Sequence, residues 1–156
     1  MEVVIGALAT SGLRPSRLEL EITETVLLAD TEATLAVLHQ LRGLGVRIAM
    51  DDFGTGYSSL SYLQTFPFDR IKIDRSFVKG VAEDIGSLNI VRAVAALAKG
   101  IGMATTAEGV ETQEQLDAVK AEGCTEMQGF LFSRALPSHD IERLFLSKPK
   151  AIENAA

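Results

Sequence analysis

Strand-like and helix-like segments alternate along this chain at ~30-residue spacing, with little between them. Parallel strands need such helical crossovers, whereas antiparallel hairpins need only tight turns. Residues 1–12 place Met1, Ile5 and Leu8 on one helical face, with Val4 beside them, and Gly12 offers a stop. Arg17 to Ile22 then alternates strictly, as a strand does. Asp30 is the expected N-cap of a helix carrying Leu35, Leu38 and Leu41 that closes near Gly43 or Gly45. Val46 to Met50 is a second strand, Ser58 to about Gln64 a short helix, and Ile71 to Ile73 a third strand. Leu88, Val91, Val94 and Leu97 form the stripe of a longer helix that stops at Gly100. A fourth strand is expected from about Met103 to Ala107. Thr112 with Gln115 caps the helix that ends at Gly123. Gln128 to Phe132 reads as one more strand, and Ser138 as the cap of a last helix with Ile141, Leu144 and Phe145. The globular unit is expected over residues 1–147, with a loose tail over 148–156. Parallel βα units of this kind fit an open doubly wound sheet or part of a (β/α)8 barrel.

The charges inside the strands carry the functional information. Side chains alternate faces along a strand, so parity sorts them. Glu19 and Glu21 oppose Leu18, Leu20 and Ile22; Asp51 joins Ala49 and Arg47 against Val46, Ile48 and Met50. Lys72 and Asp74 oppose Ile71 and Ile73, and Glu108 shares the face of Ala104 and Thr106. In each strand the large aliphatics take one face and a charge ends the other. Glu21, Asp51, Lys72 and Glu108 all lie toward C-terminal strand ends, where parallel α/β sheets build their sites. Any one of them alone is readily a solvated strand-end charge; four together argue for a rim. The adjacent carboxylates of Asp51 and Asp52 repel unless a cation lies between them, and hard divalent ions suit such an all-oxygen set. Gly54-Thr55-Gly56 after the pair is a loop able to approach a phosphate, although a plain turn is the simpler explanation. His39 and His139 lack metal-ligand spacing and read as structural.

Composition excludes several classes. Fifteen Lys and Arg against 21 Asp and Glu give a formal net charge of −6. No long nucleic acid is expected as a partner, since that requires a basic face. Cys124 is the one cysteine, which excludes an intramolecular disulfide and points to a cytoplasmic location. No membrane segment is expected, because no apolar run approaches ~18 residues. Glu2 does not suit the basic head of a signal peptide.

Glu21-Ile22-Thr23-Glu24, Asp51-Asp52-Phe53-Gly54-Thr55-Gly56-Tyr57-Ser58-Ser59-Leu60, Lys72-Ile73-Asp74, Ala107-Glu108-Gly109-Val110-Glu111-Thr112 and Gln128-Gly129-Phe130 follow in one order. Together, from about Leu8 to about Phe145, they resemble the EAL-domain family, bacterial phosphodiesterases of cyclic di-GMP. The resemblance implies that these βα units form the C-terminal part of a TIM-type (β/α)8 barrel, built around two Mg²⁺ or Mn²⁺ ions. By that likeness Glu21 is a ligand of one ion, Asp51 bridges two, and Asp52 and Glu108 hold the second. Lys72 is similar to the family's lysine that hydrogen-bonds the attacking water, and Lys72 and Glu108 are the implied catalytic pair. Glu24 resembles the residue anchoring the Asp-Phe-Gly-Thr-Gly loop, and Gln128 one that contacts the site near the substrate. The implied partners are cyclic di-GMP, the N-terminal remainder of the domain or a second copy, and GGDEF or sensory domains in a parent protein.

The Glu-Ala-Leu tripeptide that names the family is absent, as are the family's metal-binding asparagine and phosphate-gripping arginine, all of which lie upstream of the first matched stretch. The chain therefore looks like the C-terminal three-fifths of the domain and is expected to be inactive alone. The alternative within the family is a non-catalytic cyclic di-GMP receptor. Degenerate relatives lose carboxylates or the lysine, and each one this chain is long enough to contain is retained. An open-sheet receiver domain also pairs acids with a lysine, but it carries the acids just after its first strand. Here a strand and two helices precede them.

Overall fold

A computed structural model of the chain describes residues 1–23, 26, 31–54, 63 and 65–141. Helix α1 spans Glu2–Ser11 and ends where Gly12, at φ 66°, donates its N–H to the Leu8 carbonyl. A 3₁₀ turn at Pro15–Arg17 precedes β1, Glu19–Thr23. Pro15 presets that turn, so Arg17 and Leu18 lie outside the strand expected from Arg17. Helix α2 (Thr31–Gly43) leads to β2 (Arg47–Phe53), and β3 covers Arg70–Ile73. Two helices follow, α3 (Arg75–Gly80) and α4 (Ile85–Gly100), then β4 (Ala104–Glu108), α5 (Gln113–Ala121) and β5 (Glu126–Gln128). The expected cap Asp30, most of the short helix over 58–64, the final helix beyond Ile141 and the tail over 148–156 lie outside the described residues.

The five strands pair in parallel in the order β1-β2-β3-β4-β5. A doubly wound sheet reverses direction at a switch point, whereas barrel strands are added one after another. The unbroken order therefore selects the barrel arrangement from the two that the sequence left open. Among the described residues β1 and β5 each have one strand neighbour.

The outward face of the sheet is the apolar core. Ile48, Met50, Ile71 and Ile73 are fully buried there. Leu38 and Leu41 of α2 and Val91, Val94 and Ala98 of α4 belong to the same cluster. Each such aliphatic contributes roughly 1.5–3 kcal/mol on burial. The Asp69 carboxylate accepts the Ile48 N–H at 2.9 Å while the Asp69 N–H donates to the Ile48 carbonyl at 2.8 Å, which pins β3 against β2. Thr105 and Thr125 exchange N–H-to-hydroxyl bonds of 2.8 and 3.0 Å, which pins β5 against β4.

Three further expectations are corrected. Between the third strand and the long helix lies α3, capped by Asp74, whose carboxylate accepts the Ser76 N–H at 2.9 Å. Asp74 thus leaves the strand face it shares by parity with Lys72. Ser138 is already helical and does not cap: the Asp140 and Ile141 N–H groups donate to the Pro137 carbonyl. The fifth strand begins at Glu126 and ends at Gln128, instead of running from Gln128 to Phe132. There Val110 donates to the Gln128 carbonyl and accepts from Leu131, while Phe132 donates back to Gly129. The chain turns over Val110 at the one residue without a Cβ, because a Cβ at Gly129 would overlap the Val110 backbone.

Gly129→Ala is accordingly expected to push β5 off β4 and to lower stability by about 1–3 kcal/mol. Urea unfolding checks this; an unchanged midpoint would contradict the close approach.

Candidate metal and catalytic site

The inward face of the sheet is ionic, and β3 lies at its centre. Lys72 is only 5% exposed. Its Nζ lies 2.7 Å from Glu21 Oε1 on β1, 2.9 Å from Asp51 Oδ1 on β2 and 2.7 Å from Glu108 Oε1 on β4. Three strands thus direct carboxylates at one ammonium, and parity had assigned all four groups to this rim. Glu21 is the outermost of the three, half-exposed, whereas Asp51 and Glu108 are largely covered.

Burial by itself pulls the Lys72 pKa down, but hydrogen bonds to Glu108, Glu21 and Asp51 outweigh it and move the net value up. Lys72 is therefore firmly an ammonium in this arrangement. Burial drives the Glu108 carboxyl up, with Asp51 and Glu21 adding repulsion and Lys72 opposing both.

Asp52 reaches the same place by a device that alternation does not predict. Simple parity turns it away from Asp51, toward the helices. The register between β2 and β3 shifts between Met50 and Phe53, and Asp52 takes φ 54° within that bulge. Asp tolerates the left-handed region better than most side chains. One carboxylate oxygen each from Asp51, Asp52 and Glu108 then lies within 4.8 Å of the others. An all-carboxylate set of this size matches what a hard divalent ion takes.

Gln128 ends β5 as the register partner of Glu108. With Arg75, Glu108, Glu111 and Phe130 it lines a cleft of about 220 Å³ beside the rim. Gly109, at φ 69°, carries the chain past Arg75 there, where a Cβ would meet the Arg75 Cβ at 2.6 Å. Glu24 and the loop from Thr55 onward lie outside the described residues.

A second ionic layer below the rim escaped the sequence. Arg70 Nη1 donates to Thr106 Oγ1 at 2.8 Å, and both of its terminal nitrogens donate to Glu126, Nη2 to Oε1 at 2.6 Å. Arg70 Nε stands 3.3 Å from Glu19 Oε2, a charge pair without the alignment of a hydrogen bond. The available signal was parity again: Arg70 precedes Lys72 by two positions. Glu126 was hidden by the misplaced start of β5.

Parallel βα units in barrel order, with carboxylates of Asp51, Asp52 and Glu108 gathered at the C-terminal rim, define the class. Residues 1–135 match the EAL domain family model. An uncharacterized protein of Sinorhizobium fredii is 54% identical over 145 residues, covering 93% of this chain and 18% of that protein. The bifunctional diguanylate cyclase/cyclic di-GMP phosphodiesterase MucR of Pseudomonas aeruginosa is 43% identical over 141 residues, 90% of this chain and 21% of MucR. The solved MucR phosphodiesterase, in complex with c-di-GMP, superposes with a TM-score of 0.84 over 90% of this chain and 57% of that one. Klebsiella pneumoniae BlrP1, solved as a manganese/cyclic di-GMP complex, is 38% identical with a TM-score of 0.80, over 85% of this chain and 34% of that one. The chain belongs to the EAL-domain family, and its sheet is part of that family's TIM-type barrel. It spans about a fifth of the curated relatives' length. No described helix is long and apolar enough to cross a membrane.

Removing the Lys72 charge leaves three carboxylates facing one another. Glu108, already raised by burial, loses the group that opposes that rise, so the penalty is full near neutrality and fades as pH falls toward the unfolded glutamate value of about 4.3. Lys72→Met should cost about 1–3 kcal/mol at pH 7, less than a fully buried pair because Glu21 is half-exposed. Urea midpoints at pH 7 and pH 4 check this, and a deficit of equal size at both would contradict it.

Proposed function

We propose that this chain carries the catalytic rim of a metal-dependent cyclic di-GMP phosphodiesterase. The observation that carries the reading is the convergence of Glu21, Asp51 and Glu108 on Lys72, with Asp52 brought alongside by the bulge. MucR, similar over most of this chain, is named for this activity, and BlrP1 was solved with manganese and cyclic di-GMP. The carboxylate set fits a hard cation: Asp51, Asp52 and Glu108 would hold one Mg²⁺ or Mn²⁺, and Glu21 with Asp51 a second. When bound, such ions supply charge neutralisation at the phosphoryl group and an activated nucleophile.

The chain's own residues do the rest. Lys72, held charged by its carboxylates, orients the attacking water through a hydrogen bond; proton donation to the leaving oxygen would need a lowered pKa, and its three carboxylates raise it instead. Gln128 meets the substrate from the cleft wall, and by the family likeness Glu24 would hold the loop after Asp52. Hydrolysis of one phosphodiester yields the linear guanosine dinucleotide with a 5′-phosphate. The edges of β1 and β5, each without a second strand neighbour among the described residues, are where the N-terminal remainder of the domain, or a second copy, would pair. GGDEF or sensory domains are the proposed partners in a parent protein, acting in the cytoplasm. Retention of Lys72 and of each rim carboxylate that this chain is long enough to contain favours an enzyme over the receptor reading.

Titration with Mn²⁺ should show saturable binding that Asp51→Asn weakens at least about tenfold, as for other disturbed metal shells. Equal binding by both proteins would remove the site assignment. In a complete EAL domain containing these residues, Lys72→Ala should lower cyclic di-GMP turnover by roughly 10²–10⁴. The 156-residue chain alone should show no turnover. Robust cleavage by it would overturn the ligand accounting, and an inactive intact domain would move the reading to a receptor.

A further inference from the structure

Arg70 occupies the inward face of β3 one step below Lys72, and it is 8% exposed. Its guanidinium touches three other strands: Glu19 on β1, Thr106 on β4 and Glu126 on β5. Each partner stands two positions before a rim residue on the same face. Glu19 precedes Glu21, Thr106 precedes Glu108, and Glu126 precedes Gln128. Arg70 therefore ties, from below, the three strands that deliver the rim side chains on either side of β2.

We propose that Arg70 is a positioning residue: its planar fork sets the spacing of β1, β4 and β5 beneath the rim, and so the convergence of Glu21 and Glu108 on Lys72 and on the cation site. The cation part of this rests on the metal reading above; the effect on Lys72 does not. Two positions along a strand span about 6.6 Å, and a hydrogen-bonded strand moves nearly as a unit over that length. A displacement at the Arg70 layer is therefore passed to the rim. Misplacement of ~1 Å at a reacting centre is costly. A guanidinium offers five donors in a fixed plane, enough to engage a hydroxyl and a bidentate carboxylate at once, which an ammonium on a flexible stem does not reproduce. The tie to Glu126 is strong enough to hold that carboxyl below the usual glutamate range. Glu126 is half-exposed, so water replaces part of what is lost when Arg70 is removed.

The test uses the full chain as Arg70→Met, Arg70→Lys and Glu126→Gln, with far-UV circular dichroism confirming the fold. Two properties are read: Mn²⁺ affinity, and without metal the ¹H–¹⁵N signal of the Lys72 ammonium. Arg70→Met should lower Mn²⁺ affinity by about 10–100-fold, the range for lost outer-shell partners, and should shift or broaden the Lys72 signal. Arg70→Lys, keeping charge without the fork, should recover only part of both, and Glu126→Gln should show a smaller loss in the same direction. Should Arg70→Met fail to fold, Glu126→Gln and Thr106→Val, each cutting one tie, decide instead. Folded variants with wild-type Mn²⁺ affinity and an unmoved Lys72 signal would overturn the proposal. If the wild-type chain binds no Mn²⁺, the metal reading fails by itself. The Lys72 signal then decides the positioning role: a shift upholds it and constancy overturns it.

Discussion

A lysine ammonium placed where water hardly reaches is the constraint around which the site is arranged. Lys72 stays charged there only because three carboxylates surround it. Those carboxylates in turn tolerate one another only because a cation lies between them. Neither half is stable without the other, and the partners are scattered across the chain at positions 21, 51 and 108. The arrangement demands that β1, β2 and β4 stand on either side of β3 in a fixed register. Asp69, just before β3, fixes that register on both sides: it exchanges bonds with Ile48 of β2 and accepts the Ala104 N–H of β4 at its carbonyl.

The sheet divides its labour by face. Outward residues such as Ile48, Met50, Ile71 and Ile73 supply the stability, packed under α2 and α4. Inward residues form ionic layers, with Arg70 and its partners below and Lys72 with the rim carboxylates above. Stability and chemistry are thus carried by alternate residues of the same short strands. A rim charge can be disposed for reaction because the strand bearing it is already held by its other side.

The bulge at Asp52 is where the regular sheet gives way and brings two adjacent carboxylates to Glu108. Two adjacent strand residues cannot share a face, so a run of Asp-Asp would send one carboxylate into the core. The left-handed backbone at Asp52 and the shifted register bring both to Glu108 instead. Strained backbone of this sort persists where the surrounding structure over-determines it. Here β3 on one side and the buried Phe53 on the other hold it.

Much of this was legible in the sequence because it depends on local periods. The alternation of two fixes which strand residues share a face, and it placed Glu21, Asp51, Lys72 and Glu108 together without knowledge of the fold. The helix stripes, the Thr112–Gln115 capping box and the stop at Gly12 are equally local, since each is settled within a turn or two of chain. Tertiary structure alone decided which strands are neighbours, and hence that the sheet runs as a barrel does. It also decided the end of β5, because Gly129 passes the Val110 backbone, a contact between segments distant in sequence. The same holds for the turn of Asp52 onto the rim and the reach of Arg70 to Glu19, Thr106 and Glu126. Local periodicity says which way a side chain points; only the packing of separate strands determines what it meets.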